Sequence, residues 1–95
     1  MPRKIHTNYK CKNHIGLYIC RFLKNWNLGI RSFARNANMP ENVLRNIING
    51  TTKNVSLKAF FQIAEYMAKE SKIPVEYYMR RMKQEIELGN AGFDE

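Results

Sequence analysis

Apolar residues recur at three- and four-residue steps through most of the chain, and the runs are interrupted by glycine, proline or asparagine. This spacing places the apolar side chains on one face of a helix, so each run predicts an amphipathic α-helix. The runs predict helices at residues 14–26, 31–37, 40–49, 57–69 and 73–88. Trp26, Leu57 and Phe61 are expected to face inward with the other apolar residues of their helices. The 95 residues are therefore expected to form one all-α domain.

Local signals place the ends of these helices. Pro40 suits the start of a helix, where its missing N–H would be unpaired anyway. Gly50 can take the left-handed conformation that ends a helix, and the Ser56 side chain can cap the helix that follows it. No segment alternates apolar and polar residues as a half-buried strand does. Residues 89–95 contain two glycines and no periodicity, so we expect a disordered tail there.

The last predicted helix carries an apolar stripe with two possible uses. The stripe can pack into the core or meet a second copy of the chain, and these roles are not exclusive. We expect a homodimer in which part of the stripe forms the contact. The side chains expected at this dimer contact are Tyr78, Met79, Met82 and Ile86.

Residues 30–49 hold two of the predicted helices and the turn between them. Short helices can approach at a steep angle only where small side chains meet, and Ala34 and Ala37 provide them. Asn38 is one of the few residues other than glycine that tolerate the positive φ of a tight turn. The apolar side chains expected in the shared core are Phe33, Met39, Leu44 and Ile47. The polar residues left on the outer face of the second helix are Glu41, Asn42, Arg45, Asn46 and Asn49.

This pattern resembles the helix-turn-helix of the phage-repressor-like family, also called the xenobiotic-response-element or lambda-repressor-like family. The matching positions are Phe33-Ala34, Asn38 where the family usually has glycine, Leu44, Ile47, Asn49-Gly50, Ser56-Leu57 and Ile63-Ala64. The resemblance covers residues 14–70 and implies a compact five-helix lambda-repressor-like domain over residues 13–88. Ile30 departs from the family pattern, because a polar residue usually binds a phosphate there. Ile48 replaces a glutamate, so exposure of Ile48 is one expectation.

The resemblance implies a sequence-specific DNA-binding transcriptional regulator of bacterial or phage type, with repression the expected mode of action. Helix 40–49 would then lie in the major groove as the recognition helix. The residues expected to read base edges are Glu41, Asn42, Arg45, Asn46 and Asn49. Arginine can pair with guanine, asparagine with adenine, and glutamate can accept from cytosine. The residues expected to contact the DNA backbone from the motif and its following loop are Arg31, Arg35, Thr51, Thr52, Lys53 and Asn54.

Charge independently favours a polyanionic partner. The formal net charge is +8, and residues 1–40 hold eight Lys and Arg side chains with no Asp or Glu. A domain with one strongly positive end suits double-stranded DNA. Residues 1–12 are interpreted as a basic flexible arm, although a merely solvated tail is the alternative. Its candidate backbone contacts are Arg3, Lys4, Lys10 and Lys12.

Other chemistries find little support in the sequence. We find no catalytic serine with histidine and carboxylate partners, no glycine-rich phosphate loop and no cofactor motif, so no enzyme activity and no cofactor are expected. A zinc site built from His6, Cys11, His14 and Cys20 lacks a second paired set of ligands, and Cys20 fits better as a small core residue. No apolar run is long enough to span a membrane and no secretory signal is evident. We therefore expect a cytoplasmic protein.

Two other functions stay open at this point. The same fold can serve as a protein-interaction module, such as an antitoxin or an adaptor. Binding to single-stranded or structured RNA is the other alternative. RNA recognition usually uses exposed aromatic side chains, whereas most aromatic residues here fall at core spacing within the predicted helices.

Overall fold

The computed structural model describes residues 14–51, 54–89 and 92–94. The helices in these ranges are α1 His14–Asn25, α2 Ile30–Asn36, α3 Glu41–Asn49, α4 Leu57–Ser71 and α5 Val75–Leu88. Two three-residue strands complete the described elements, β1 Asn54–Ser56 and β2 Gly92–Asp94. The mostly helical, compact architecture predicted from the periodicity is confirmed. None of the described helices is both long and apolar enough to cross a membrane.

Residues in the left-handed conformation follow the ends of several helices. Asn27 follows α1 with φ of 55°, and Gly50 follows α3 with φ of 76°. After α3, the amide of Gly50 donates to Ile47 and the amide of Thr51 donates to Asn46. This pair of bonds satisfies carbonyls that the helix end would leave unpaired. The prediction that Gly50 ends its helix is confirmed.

The start of α4 is also fixed by a side chain, as the sequence predicts. The Ser56 Oγ accepts a hydrogen bond from the amide of Ala59, at 3.1 Å. Such an interaction at a helix start contributes about 1 kcal/mol when a serine makes it. The prolines predicted to open two helices occupy the position just before them: Pro40 precedes α3 and Pro74 precedes α5, each with extended ψ.

The core is a single cluster to which all five helices contribute. Its aromatic part centres on Phe22 and Phe33, whose rings meet edge to face at 6.0 Å. Tyr78 on α5 meets Phe22 at 5.9 Å, and Tyr66 on α4 meets Phe33 at 4.8 Å. Edge-to-face contacts at these distances add to the stabilisation from burial alone. The aromatic cluster therefore ties α1, α2, α4 and α5 to one another.

The expectation of a disordered tail at residues 89–95 is wrong for part of that range. Gly92–Asp94 pairs in parallel with Asn54–Ser56, and Val55 lies opposite Phe93 in the register. The pairing joins backbone segments that are far apart in the chain. Three residues are too few to show the alternation that marks a strand, so the periodicity could not reveal it.

The expected dimer contact on α5 is wrong for three of its four residues. Tyr78, Met82 and Ile86 are buried within the chain itself, and Met82 is fully inaccessible. Because α1 and α4 both pack against α5, the apolar stripe is covered inside one copy. Met79 is half-buried against the core.

Three side chains expected to face inward are exposed instead. Trp26 follows the last residue of α1 and is 42% exposed. Leu57 is the first residue of α4, where no preceding turn covers it. Phe61 lies one position beyond the buried Phe60 and therefore about 100° further round the helix.

Replacing Met82 with alanine tests the placement of α5. The loss of a fully buried side chain leaves a cavity, so the free energy of unfolding should fall by about 2–5 kcal/mol. Lys83 on the same helix is exposed, and its alanine variant should change stability by less than about 0.5 kcal/mol. Equilibrium denaturation in urea measures both variants. A Met82→Ala protein of wild-type stability but weaker self-association would contradict the core assignment.

Candidate nucleic-acid interface

A tight turn joins α2 to α3. Ala37 follows the end of α2, and Asn38 then takes a left-handed conformation with φ of 62°. The amide of Met39 donates to the carbonyl of Ala34 at 2.9 Å, and the amide of Asn38 donates to Arg35 at 3.1 Å. These bonds close the end of α2 and reverse the chain toward α3. The turn predicted at Asn38 is confirmed in its positive φ.

Small and apolar side chains fill the space between α2 and α3. Ala34 and Ala37 are buried, as are Met39 and Leu44. Ile48 is fully buried as well, so the expectation that it is exposed is wrong. The reason is that α3 packs against both α1 and α2, which widens the face of α3 that must be apolar.

Two side chains of α4 make hydrogen bonds to the turn and to the end of α2. The Gln62 Nε2 donates to the carbonyl oxygen of Asn38 at 2.9 Å. The Asn36 Nδ2 donates to the Tyr66 hydroxyl at 3.2 Å, and that hydroxyl donates to Glu70 at 3.1 Å. Burial and, after it, the neighbouring Glu70 carboxylate raise the pKa of Tyr66. The sequence pattern did not reveal Gln62 and Tyr66, which lie one helical turn apart on α4.

The outer face of α3 is polar along its length. Asn42 is exposed, whereas Arg45, Asn46 and Asn49 are partly exposed. Each of these side chains carries N–H groups that can donate hydrogen bonds. The structure therefore places four of the five predicted base-reading residues on α3 with accessible donors.

Glu41, the fifth, is occupied by contacts within the protein. Its Oε1 accepts from the Arg31 Nε at 3.3 Å, and its Oε2 accepts from the Arg45 Nη2. The hydrogen bonds from Arg45 and then Arg31 hold the pKa of the Glu41 carboxyl below its usual range. Glu41 is thus an ionised link between α2 and α3 rather than an unengaged acceptor.

The predicted backbone contacts fall into two groups. Arg31 and Arg35 lie one turn apart on α2 and are exposed, and Thr51 is exposed just after α3. The others are either at the start of β1, as Asn54 is, or outside the described residues. Those outside are Thr52, Lys53, Arg3, Lys4, Lys10 and Lys12.

The residues of the alternative zinc site do not come together in the described part of the chain. Cys20 is buried in the core on α1, as predicted. His14 lies at the start of α1, with its Nδ1 3.7 Å from the Glu85 carboxylate. His6 and Cys11 lie outside the described residues. Across residues 14–51, 54–89 and 92–94, no three His, Cys, Asp or Glu side chains are grouped as metal ligands.

Comparison of the chain with protein-family models, with curated proteins and with solved structures gives no match. Function is therefore inferred from the geometry and charge of α2, α3 and their surroundings.

Replacing Asn38 with glycine tests the turn. Glycine adopts a positive φ without the steric cost that other residues meet, so the Asn38→Gly protein should be at least as stable as the wild type. Asn38→Ala should lower the free energy of unfolding by about 1 kcal/mol, because alanine is strained in this conformation.

Arg35→Gly is the matched control for the same measurement in urea. Arg35 is exposed within α2, where glycine should cost about 1 kcal/mol. The free energy of unfolding should therefore fall in Arg35→Gly and stay the same or rise in Asn38→Gly. Equal losses at both positions would mean that Asn38 is not held in the left-handed conformation.

Proposed function

We propose that this protein is a sequence-specific DNA-binding regulator in which α2 and α3 form a helix-turn-helix. The observation that carries the proposal is the division of α3 into two faces. Leu44, Ile47 and Ile48 are buried, while the opposite side carries asparagine and arginine side chains that are exposed or partly exposed. We further propose that the five helices have a lambda-repressor-like arrangement, with α3 as the recognition helix.

The chemistry of the polar face suits the major groove. Each base pair presents its own pattern of donors and acceptors there, and a helix fits the groove width. Arg45 would donate to the N7 and O6 atoms of a guanine, and Asn42 or Asn46 would pair with adenine. Because these side chains project from a helix packed on α1 and α2, the core holds their spacing rigidly.

Phosphate contacts would position α3 in the groove. Arg31 and Arg35 project from α2, and the Arg31 side chain is 82% exposed. Lysine and arginine contacts to phosphate supply affinity without sequence preference. Residues 1–40 hold eight Lys and Arg side chains and no Asp or Glu, which favours a polyanionic partner such as DNA.

A homodimer is part of this proposal, because a single recognition helix reads few base pairs. Two copies would place their α3 helices about 34 Å apart, one turn of B-DNA, on a near-palindromic site. The contact between copies would use exposed residues rather than the buried α5 stripe. Regulation of transcription, by repression, would follow from occupation of such a site.

A protein-interaction module is the second candidate, and the exposed aromatic residues favour it. Trp26 is 42% and Tyr77 is 46% exposed. Their rings lie against those of Phe22 and Tyr78, whose centroids are 5.9 Å apart. Aromatic residues are enriched at protein interfaces. RNA recognition usually uses exposed aromatic side chains. The sequence argued against RNA binding because the aromatic residues were expected in the core, and the exposure of Trp26 and Tyr77 weakens that argument.

Selection of bound sites from a random duplex library tests the leading proposal. It gives the target sequence, its symmetry and the spacing of half-sites in one experiment. A gel shift that compares random duplex DNA with random single strands accompanies it. Enrichment of a duplex sequence supports the proposal, whereas no enrichment with retained single-strand binding favours RNA, and no nucleic-acid binding favours the interaction module.

Arg45→Ala tests the register of the recognition helix. Arg45 projects from the outer face of α3, so its removal should leave the core intact and eliminate one base contact. We expect discrimination to fall by about 1–3 kcal/mol at one base pair in each half-site. Competition binding with single-base variants of the selected site measures it.

Leu44→Ala is the control for Arg45→Ala. Leu44 is fully buried, so its alanine variant should lose about 2–5 kcal/mol of folding stability while the folded fraction keeps its base preference. If Arg45→Ala weakens binding to every sequence by the same factor and leaves base preference unchanged, Arg45 is a phosphate contact and the assigned register is wrong.

Deletion of residues 1–12 tests the basic arm. The deletion removes Arg3, Lys4, Lys10 and Lys12. If these residues meet phosphates, the slope of log affinity against log salt should flatten by up to about 0.9 for each phosphate that is no longer neutralised. Affinity should fall alike for all sequences. An unchanged slope of log affinity against log salt would mean that residues 1–12 are a solvated tail without phosphate contacts.

A further inference from the structure

On the proposed recognition face, Glu41 is the residue whose side chain is engaged by two cations. Oε1 accepts from the Nε of Arg31 on α2, and Oε2 accepts from the Nη2 of Arg45, one turn later on α3. Both oxygens of the carboxylate thus have a guanidinium partner. The three residues, Arg31, Glu41 and Arg45, are called the α2–α3 charge cluster below.

This cluster argues against direct base reading by Glu41. Each carboxylate oxygen already accepts from a guanidinium, so a hydrogen bond from cytosine would have to use the remaining lone pair of an oxygen that faces Arg31 or Arg45. Its charge would also approach the phosphates, which repel it. Each guanidinium, by contrast, uses one nitrogen for Glu41 and keeps its other N–H groups for a further partner.

We propose that Glu41 is a positioning residue, which holds the Arg45 guanidinium in place for a guanine and holds Arg31 near the adjacent phosphates. This inference rests on the proposed DNA-binding function and assigns the role of one residue within it. Glu41 does not read a base of its own.

The physical advantage is preorganisation. An unrestrained arginine samples many rotamers, and fixing it on binding costs conformational entropy. The carboxylate orders Arg45 before DNA arrives. It also neutralises part of the positive charge, which lowers binding to phosphate in general. Both effects raise the preference for the correct base over other DNA.

The ion pair between Arg31 and Glu41 also joins α2 to α3. Arg31 and Glu41 are ten residues apart and lie on opposite sides of the turn. The Arg31 side chain is largely exposed, so this ion pair adds little to folding stability. Its effect is therefore expected on DNA recognition rather than on folding.

Glu41→Gln tests the proposal on the full chain, with the selected duplex and its single-base variants as probes. Glutamine keeps the shape of the side chain and removes its charge. We expect the guanine preference at the base pair read by Arg45 to fall by about three- to tenfold. Affinity for random duplex DNA should rise, because two cations are released and one negative charge is removed.

A double-mutant cycle with Arg45→Ala separates positioning from direct reading. If Glu41 acts through Arg45, the double variant should lose no more discrimination than Arg45→Ala alone. A combination of Glu41→Gln with Asn42→Ala should be additive by the same measure. A drop in discrimination at a different base pair in Glu41→Gln, or additivity with Arg45→Ala, would overturn the proposal in favour of direct reading.

Glu65→Gln is the charge-matched control. Glu65 is exposed on α4, and its variant carries the same change in net charge without touching the α2–α3 charge cluster. It should leave the guanine preference unchanged. An equal loss of preference in both variants would reduce the effect to net charge and contradict positioning.

An NMR measurement on the protein without DNA keeps this inference distinct from the proposed function. The order parameter of the Arg45 Nε–H bond should fall in Glu41→Gln, while circular dichroism shows the same helix content. An equally mobile Arg45 in the wild type overturns positioning even where duplex binding is found. An ordered Arg45 in a wild-type protein that binds no duplex overturns the DNA-binding function and, with it, the role assigned to Glu41.

Discussion

The left-handed conformation of Asn38 is the constraint on which the α2–α3 unit depends. It allows the amides of Asn38 and Met39 to close the end of α2 and turns the chain so that Leu44 enters the core. Ala34 and Ala37 make the approach of the two helices possible because their side chains are small. Without this reversal α3 could not pack its apolar face into the core and also present its polar face to solvent.

The rest of the fold acts as a support for that turn. Gln62 and Tyr66 on α4 hold the turn and the end of α2 by hydrogen bonds, and Tyr66 also packs its ring against Phe33. The α5 helix packs into the same core, where Met82 is fully buried. Mounted in this way, α3 gains the rigidity that the precise placement of side chains in the proposed recognition helix requires.

Electrostatics distinguishes the two kinds of polar residue on α3. The asparagine side chains present accessible donors, whereas Glu41 is bound to two arginines, which lower the pKa of its carboxyl. An exposed ion pair contributes little to stability, and our proposal is that this pair orients Arg45 instead. The net charge of +8 favours attraction to a polyanion. The Glu41 carboxylate offsets part of the positive charge of Arg31 and Arg45.

The sequence by itself determined the five helices, their ends to within about two residues, the turn at Asn38 and the polar face of α3. These features depend on periodicity and on local backbone preference, which neighbouring residues carry. Tertiary structure alone decided that Ile48 and Met82 are buried, that Gly92–Asp94 pairs with β1, and that Glu41 reaches Arg31. Each depends on which segments meet in space. Periodicity marks an apolar face but not what covers it, and it contains no information about contacts between residues that are distant in the chain.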